Sequence, residues 1–192
     1  MKQVAEGKRQ LDSAKICCAS LDTAQKQSLP KGKSTIVVDD TLQAFDFGVG
    51  KTFFVLFEMP VFDQTYAITV SSLPAGPLAD MALFVPHVTL YDAAFKPTRF
   101  FDEKTLRNRG NTLERTIFIN PQNSSEKYLV VSGANLVADI ETSYSLVTYT
   151  PMVAGPFIVN MAGGQDGKTK LRTSPTGQLE VEVSSSGQRA SQ

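Results

Sequence analysis

The sequence predicts an all-β protein, a β-sandwich of jelly-roll type with a short N-terminal helical segment and a C-terminal β-hairpin. Short runs of β-branched and aromatic residues follow one another at sandwich spacing, and turn residues separate them. The stretch from Lys51 to Phe101 shows this most clearly, because KTFFVLFEMP, TYAITVSSL and FVPHVTLYDAAFKPTRFF carry no helical period. With 192 residues, 42% of them hydrophobic, the chain is long enough to bury roughly 70% of its unfolded surface in a single core.

Three segments divide the chain. Residues 1–30 form an N-terminal segment with the Cys17-Cys18 pair, in which LDSAKICCASLDTAQKQSLP predicts one or two helical turns with Asp12 or Ser13 as the N-cap. Residues 31–183 form a single β-sandwich domain that ends in the hairpin. Residues 184–192, SSSGQRASQ, have the composition of a disordered tail.

Two strand patterns indicate which faces are buried. The apolar run Phe53 to Phe57 predicts a strand buried on both faces. The segments around Tyr66 and around His87 to Tyr91 alternate between apolar and polar residues, which predicts strands with one wet face each.

The C-terminal hairpin is predicted to the residue. KTKLRT and QLEVEV flank the turn SPTG, and a GGQDG loop precedes them. A two-residue loop would set polar against apolar side chains. A three-residue loop with Gly177 in the left-handed conformation pairs Arg172 with Glu180 and Leu171 with Val181, so we expect this second register.

Charge and hydropathy exclude several classes of partner. The chain has 19 Lys and Arg against 19 Asp and Glu, a net charge of zero, which argues against nucleic acid and anionic membranes. Its longest apolar run, from Phe53 to Phe57, falls far short of the roughly 20 residues that span a bilayer, so we expect no transmembrane segment. Met1 is followed by no signal-peptide core, so either the protein is cytosolic or its export signal has been removed.

The two cysteines leave three alternatives open. Unpaired cysteine is among the most buried residue types, so Cys17 and Cys18 are expected to pack as small apolar side chains, at least one of them buried. A vicinal disulfide and an intermolecular bridge remain the other interpretations, and no disulfide can join this segment to the rest of the chain.

The sequence carries no recognisable catalytic or cofactor motif. His87 is the single histidine, and it falls on the predicted wet face beside Tyr91 without a serine elbow or a nucleophilic cysteine in a recognisable setting. One histidine and two adjacent cysteines do not supply the separated ligand pairs of a zinc site. We therefore expect a protein that is not an enzyme and needs no cofactor or metal. A hydrolase that uses strand-end carboxylates is an alternative.

Shallow carbohydrate sites on β-sandwiches stack sugar rings on exposed aromatic side chains. Since the chain has no Trp, a shallow site would use tyrosine faces and polar groups at strand ends. The candidate ligand-binding residues are Tyr66, Tyr91, Asp92 and His87.

Several segments together resemble the family of maltose-operon periplasmic proteins. They are ICCASL, AFDFGVGKTFFVLFEMP, YAITVSSL, LYDAAFKPTRFF and GPFIVNMAGG…SPTGQLEVEV, in order from about Leu11 to Val183. A narrower pattern, YAITV…LYDAAFKPT…KYLVVSG…SYSLVTY, is similar to jelly-roll accessory domains of secreted bacterial peptidases.

The main resemblance implies a periplasmic protein whose signal peptide is missing from this sequence. It implies an accessory role in maltose and maltodextrin transport, with maltodextrin or a periplasmic or outer-membrane transport protein as the partner. It supplies no catalytic residue and no mapped sugar site. The alternative function is a structural or protein-interaction module of the cell envelope that never contacts sugar.

Overall fold

The computed structural model describes residues 2–48, 50–77, 80–109, 111–134, 139–154 and 157–185. Within these ranges the chain forms one α-helix, α1, and fourteen β-strands in three sheets. Their bounds are α1 Lys2–Ser13, β1 Gln27–Ser28, β2 Lys33–Val38, β3 Gln43–Asp46, β4 Lys51–Glu58, β5 Tyr66–Leu73, β6 Ala82–Phe84, β7 Pro86–Asp92, β8 Pro97–Phe101, β9 Arg107–Arg109, β10 Thr112–Ile119, β11 Glu126–Gly133, β12 Asp139–Ala154, β13 Phe157–Ser174 and β14 Gly177–Ser185.

Two sheets make the sandwich. The first has the order β1-β4-β11-β7-β8, with β3 also paired to β4, and the second has the order β2-β14-β5-β10-β9. Alternate residues of both sheets point inward and form one buried core, among them Val55 and Leu129 of the first sheet and Ile68, Ile117 and Val181 of the second. The predicted all-β sandwich is confirmed, and its jelly-roll connectivity stays a prediction.

The predicted burial of β4 on both faces is also confirmed. Phe53, Val55 and Phe57 point into the sandwich core, while Phe54 and Leu56 point to the opposite face of the first sheet. The N-terminal segment covers that outer face with half-buried Cys18 and Leu21 and with buried Ala24. The run Phe53 to Phe57 is apolar at every position because one face of β4 packs in the sandwich core and the N-terminal segment covers the other face.

The helical segment exists, but it lies earlier than predicted. Helix α1 runs from Lys2 to Ser13, so Asp12 and Ser13 end the helix instead of capping its start. The predicted segment begins at Leu11, so it contains only the last three residues of α1, followed by a 3-10 turn at Leu21–Thr23 and the two-residue strand β1. The helix packs through buried Gly7, whose Cα approaches the side chains of Ser174 and Thr176.

The predicted C-terminal hairpin is wrong. β13 pairs with β12 and, over Arg172–Ser174, with β6, whereas β14 lies between β2 and β5 in the second sheet. Leu171 is opposite Ile140, and Gly177 lacks the positive φ that the predicted turn requires. Two strands that are adjacent in sequence thus enter different sheets, because β14 completes the sandwich core.

A different long hairpin takes its place, and we call it the arm. It consists of β12 and β13, paired without a break from Asp139–Arg172 to Ala154–Phe157. The GGQDG segment, predicted to be a loop, lies inside β13, and the turn of the arm lies outside the described residues. β14 continues to Ser185, so the first two residues of the predicted tail are strand, and the rest of the tail is outside the described range.

Candidate functional site

A shallow cavity of about 410 Å³ lies on the outer face of the first sheet, beside the N-terminal segment. We call it the aromatic shelf. The residues that line it combine four aromatic rings with two carboxylates, and they are Ala19, Ser20, Leu21, Asp22, Phe45, Asp46, Phe47, Tyr91 and Phe95.

Two phenylalanines, Phe45 and Phe47, build one side of the shelf and pack on the buried ring of Phe54. Phe45 belongs to β3, and Phe47 follows the end of that strand. Their ring centroids lie 5.0 Å apart, edge to face, and 6.1 and 5.7 Å from the centroid of Phe54 on the neighbouring strand β4. Such contacts fix ring orientation beyond simple burial. Phe45 and Phe47 stay half-buried, so part of each ring is open to a ligand.

Phe95 forms the other side from the turn between β7 and β8. Its φ of 56° is rare for a bulky residue. Asp92 holds the turn, because one carboxylate oxygen accepts hydrogen bonds from the backbone N–H groups of Ala94 and Lys96, both at 2.9 Å. The Phe95 ring stacks on Tyr128 with centroids 4.2 Å apart. The turn thus holds Phe95 in an unfavourable backbone conformation, and the stacking contact fixes the position of its ring. Such strained residues are typical of binding sites.

The two carboxylates are exposed at the rim. Asp46 accepts a hydrogen bond from the backbone N–H of Gly48 at 2.8 Å. Asp22 accepts one from the hydroxyl of Ser20, and this bond lowers the pKa of Asp22 below its usual value. Both carboxylates are therefore available to accept further hydrogen bonds next to the rings.

The adjacent cysteines form a vicinal disulfide just before Ala19–Asp22, which line one side of the shelf. Cys17 donates its backbone N–H to the carbonyl of Ala44 at 2.9 Å, which ties the segment to β3. Cys17 is exposed and Cys18 half-buried, so the expectation of a buried thiol is wrong and the disulfide alternative is the one the structure contains.

The four sequence-predicted ligand residues are only partly brought together. Tyr91 lines the shelf, where burial raises the pKa of its hydroxyl, and Asp92 is used in the adjoining turn. His87 points to the same side of β7 as Tyr91, but its Nε2 lies 2.8 Å from a Glu103 carboxylate oxygen. That hydrogen bond lowers the pKa of Glu103. Tyr66 faces the sandwich core, and burial raises its pKa to about 12.

Sequence reasoning missed Phe45, Phe47 and Phe95. A signal for the first two was present, because AFDF places two rings on the same side of a strand end with an aspartate between them. For Phe95 the signal was an aspartate three residues earlier in a turn, YDAAF. What the sequence did not show is that β3, the β7–β8 turn and the N-terminal segment meet at one place.

A larger cleft, of about 750 Å³, lies between helix α1 and the ends of the second-sheet strands. Half of the described residues that line it belong to the helix, among them Lys2, Glu6 and Arg9, and none of those described is aromatic. Glu6 and Arg9 are already paired at 2.5 Å, so this cleft offers less specific chemistry than the shelf.

Among the described residues, no three His, Cys, Asp or Glu side chains group as a metal site would require. No helix in the described ranges has the length and apolar character needed to cross a membrane. No protein-family model and no curated protein matches the chain.

Proposed function

We propose that this chain is a non-enzymatic periplasmic accessory protein of carbohydrate transport that binds maltodextrin at the aromatic shelf. The observation that supports this is the combination of four rings and two carboxylates in one shallow cavity. The apolar C–H face of a sugar ring stacks on aromatic rings, while its hydroxyls donate to carboxylate oxygens. The periplasmic location and the transport role rest on the sequence resemblance.

The affinity should be weak. The shelf is shallow, and sugar hydroxyls must give up hydrogen bonds to water for those they form with the protein. We expect a Kd near a millimolar, which is about −4 kcal/mol.

Hydrolysis of the bound sugar is not part of the proposal. Asp22 and Asp46 are both exposed, so neither carboxylate has the enclosed, apolar surroundings of a glycosidase general acid. His87 is engaged with Glu103, and both cysteines are in the disulfide. Incubation with maltodextrins should release no new reducing ends, and measurable release would contradict this assignment.

Calorimetric titration with maltotriose tests the site. Phe47→Ala should weaken binding severalfold, because it removes ring surface from the shelf. Phe100→Ala is the matched control, since Phe100 is an exposed phenylalanine on β8 that does not line the shelf. Equal affinities for both variants and the unmodified protein would place the sugar elsewhere, and no heat with any maltodextrin would refute the proposal.

The second candidate function is a protein-binding module of the cell envelope. The exposed apolar side chains of the arm favour this function. Val147, Tyr149, Met152 and Met161 are each more than half exposed there. A two-stranded ribbon with exposed apolar side chains is only marginally stable in water, and such surfaces mark interaction sites. Pull-down from periplasmic extract should then recover a partner that Tyr149→Ser fails to retain.

A further inference from the structure

A second cavity, of about 660 Å³, lies on the outer face of the second sheet. We call it the polar trough. Strand register aligns its side chains in two rows that cross the strands. The first row is Glu180, Ser71, Glu114 and Arg107, and the second is Lys33, Glu182, Thr69 and Thr116. Each row spans three strand spacings, or about 14 Å, which is longer than one sugar ring.

The charges of the trough are layered. The carboxylates of Glu180 and Glu114 lie in its floor with 17% of each side chain exposed, while their partners Lys33 and Arg109 are 61% and 79% exposed at the rim. The ion pairs measure 2.8 Å for Lys33–Glu180 and 3.6 Å for Arg109–Glu114. On an ordinary solvated sheet face the carboxylates would extend into water. Here they form acceptors inside a concave surface.

Hydroxyl groups and one ring complete the lining. Ser71 is buried in the floor between the two carboxylates, and Thr69 and Thr116 share a hydrogen bond of 3.0 Å across their strands. Phe118, two residues after Thr116 on the same face of β10, is more than half exposed at one end of the trough. It is an aromatic surface in otherwise polar surroundings.

This chemistry selects a neutral polyhydroxylated ligand. Four cationic and three anionic side chains are among the described residues that line the trough, so a net charge of +1 leaves little field to attract a polyanion. Carboxylates and hydroxyls in a row accept from and donate to successive hydroxyl groups. The exposed ring adds a stacking surface for one sugar face. A basic peptide is the competing class, since it would donate to the same floor carboxylates, but the rim cations Lys33 and Arg109 repel it.

We propose that the polar trough is a second saccharide site that binds extended oligosaccharides and makes the protein bind longer chains more tightly than short ones. The inference rests on the proposed sugar-binding function and deepens it. Because the trough is longer than one sugar ring, its contribution to the binding affinity should grow with the number of sugar units.

The experiment compares maltose with maltoheptaose by calorimetry and NMR titration. Phe118→Ala should weaken maltoheptaose binding about three- to tenfold and leave maltose binding unchanged. Glu114→Gln should act in the same direction. Thr35→Ala is the matched control, because Thr35 is exposed on the same sheet face but does not line the trough. Unchanged thermal unfolding shows that each variant is folded.

The outcomes separate this inference from the proposed function. Loss of binding in Phe47→Ala with unchanged maltoheptaose affinity in Phe118→Ala keeps sugar binding at the shelf and overturns the trough site. Shifts of Thr69 and Thr116 resonances by trilysine, but not by maltoheptaose, would assign the trough to basic peptides and also overturn it. Shifts at the trough by maltoheptaose in the Phe47→Ala variant would support it directly.

Discussion

Removing the Arg99 guanidinium should cost about 3–5 kcal/mol of unfolding free energy, because it leaves a buried carboxylate without its partner. The Glu126 side chain is only 2% exposed. It accepts from Arg99 Nε at 2.7 Å, from Arg99 Nη2 at 2.6 Å and from the Thr98 hydroxyl at 2.9 Å. Arg99 Nη1 also donates to the carbonyl of Phe118 at 3.2 Å, so the residue links the first sheet to the second.

Arg99→Met keeps most of the aliphatic stem and removes only the charge and the hydrogen bonds. Urea unfolding should show the full loss, a large part of a typical stability of about 5–15 kcal/mol. The double variant with Glu126→Gln should recover more than about 1 kcal/mol, since the unpaired charge is gone. Arg9→Met, which breaks an exposed pair with Glu6, is the control and should not move the midpoint. Equal effects of the Arg99 and Arg9 variants would refute the reasoning.

Three further predictions concern packing, pH and the cysteines. Gly177→Ala should destabilise the protein, because a Cβ there would lie 2.9 Å from the Cβ of Phe84, whereas Gly164→Ala meets nothing within 4 Å and should be neutral or stabilising in the same thermal melt. The pKa of Tyr66 is raised from 10.0 to about 12, chiefly by burial. The stability that the neutral hydroxyl contributes is therefore present below pH 10 and is lost as the pH rises toward about 12. Circular dichroism should show that the alkaline decline in stability is flatter in Tyr66→Phe than in the unmodified protein. A thiol reagent should find no thiol in native or unfolded protein until a reductant opens the vicinal disulfide, and two reactive thiols before reduction would contradict the disulfide.

The sequence was sufficient for the strands whose patterns follow from local burial. The all-apolar run from Phe53 to Phe57 and the alternation around His87 reappear as β4 and β7, because side-chain direction alternates strictly along a strand. The sandwich followed from the number and spacing of such runs.

Strand pairing was less predictable. The turn before Gly177 had suitable hairpin residues, yet β13 and β14 separate into different sheets because Leu179 and Val181 are needed in the sandwich core. Burial of these side chains against strands distant in sequence therefore outweighed the preference of the turn residues for a hairpin. The helix was predicted at the wrong position for a related reason. The sequence does not show that Gly7 packs against Ser174 and Thr176, which are more than 160 residues away.

The candidate site was predicted only in type. Aromatic faces with nearby carboxylates were expected, and Tyr91 is among them, but Phe45, Phe47 and Phe95 come together through tertiary contacts. Tyr66 illustrates a different error, because it alternates in phase with Ile68 and Val70, and all three are buried in the sandwich core. The alternation already indicated that Tyr66 faces inward, so its choice as a ligand-binding residue went against the pattern.

Saturation-transfer NMR from phenylalanine ring protons to maltotriose tests sugar binding at the shelf most directly. With only phenylalanine rings protonated in a deuterated protein, the C–H protons of the sugar should receive saturation in the unmodified protein and in Phe100→Ala. The signal should drop sharply in Phe47→Ala and Phe95→Ala, since both rings line the shelf. Transfer that persists unchanged in both shelf variants, or is absent from the unmodified protein at millimolar sugar, would contradict the assignment.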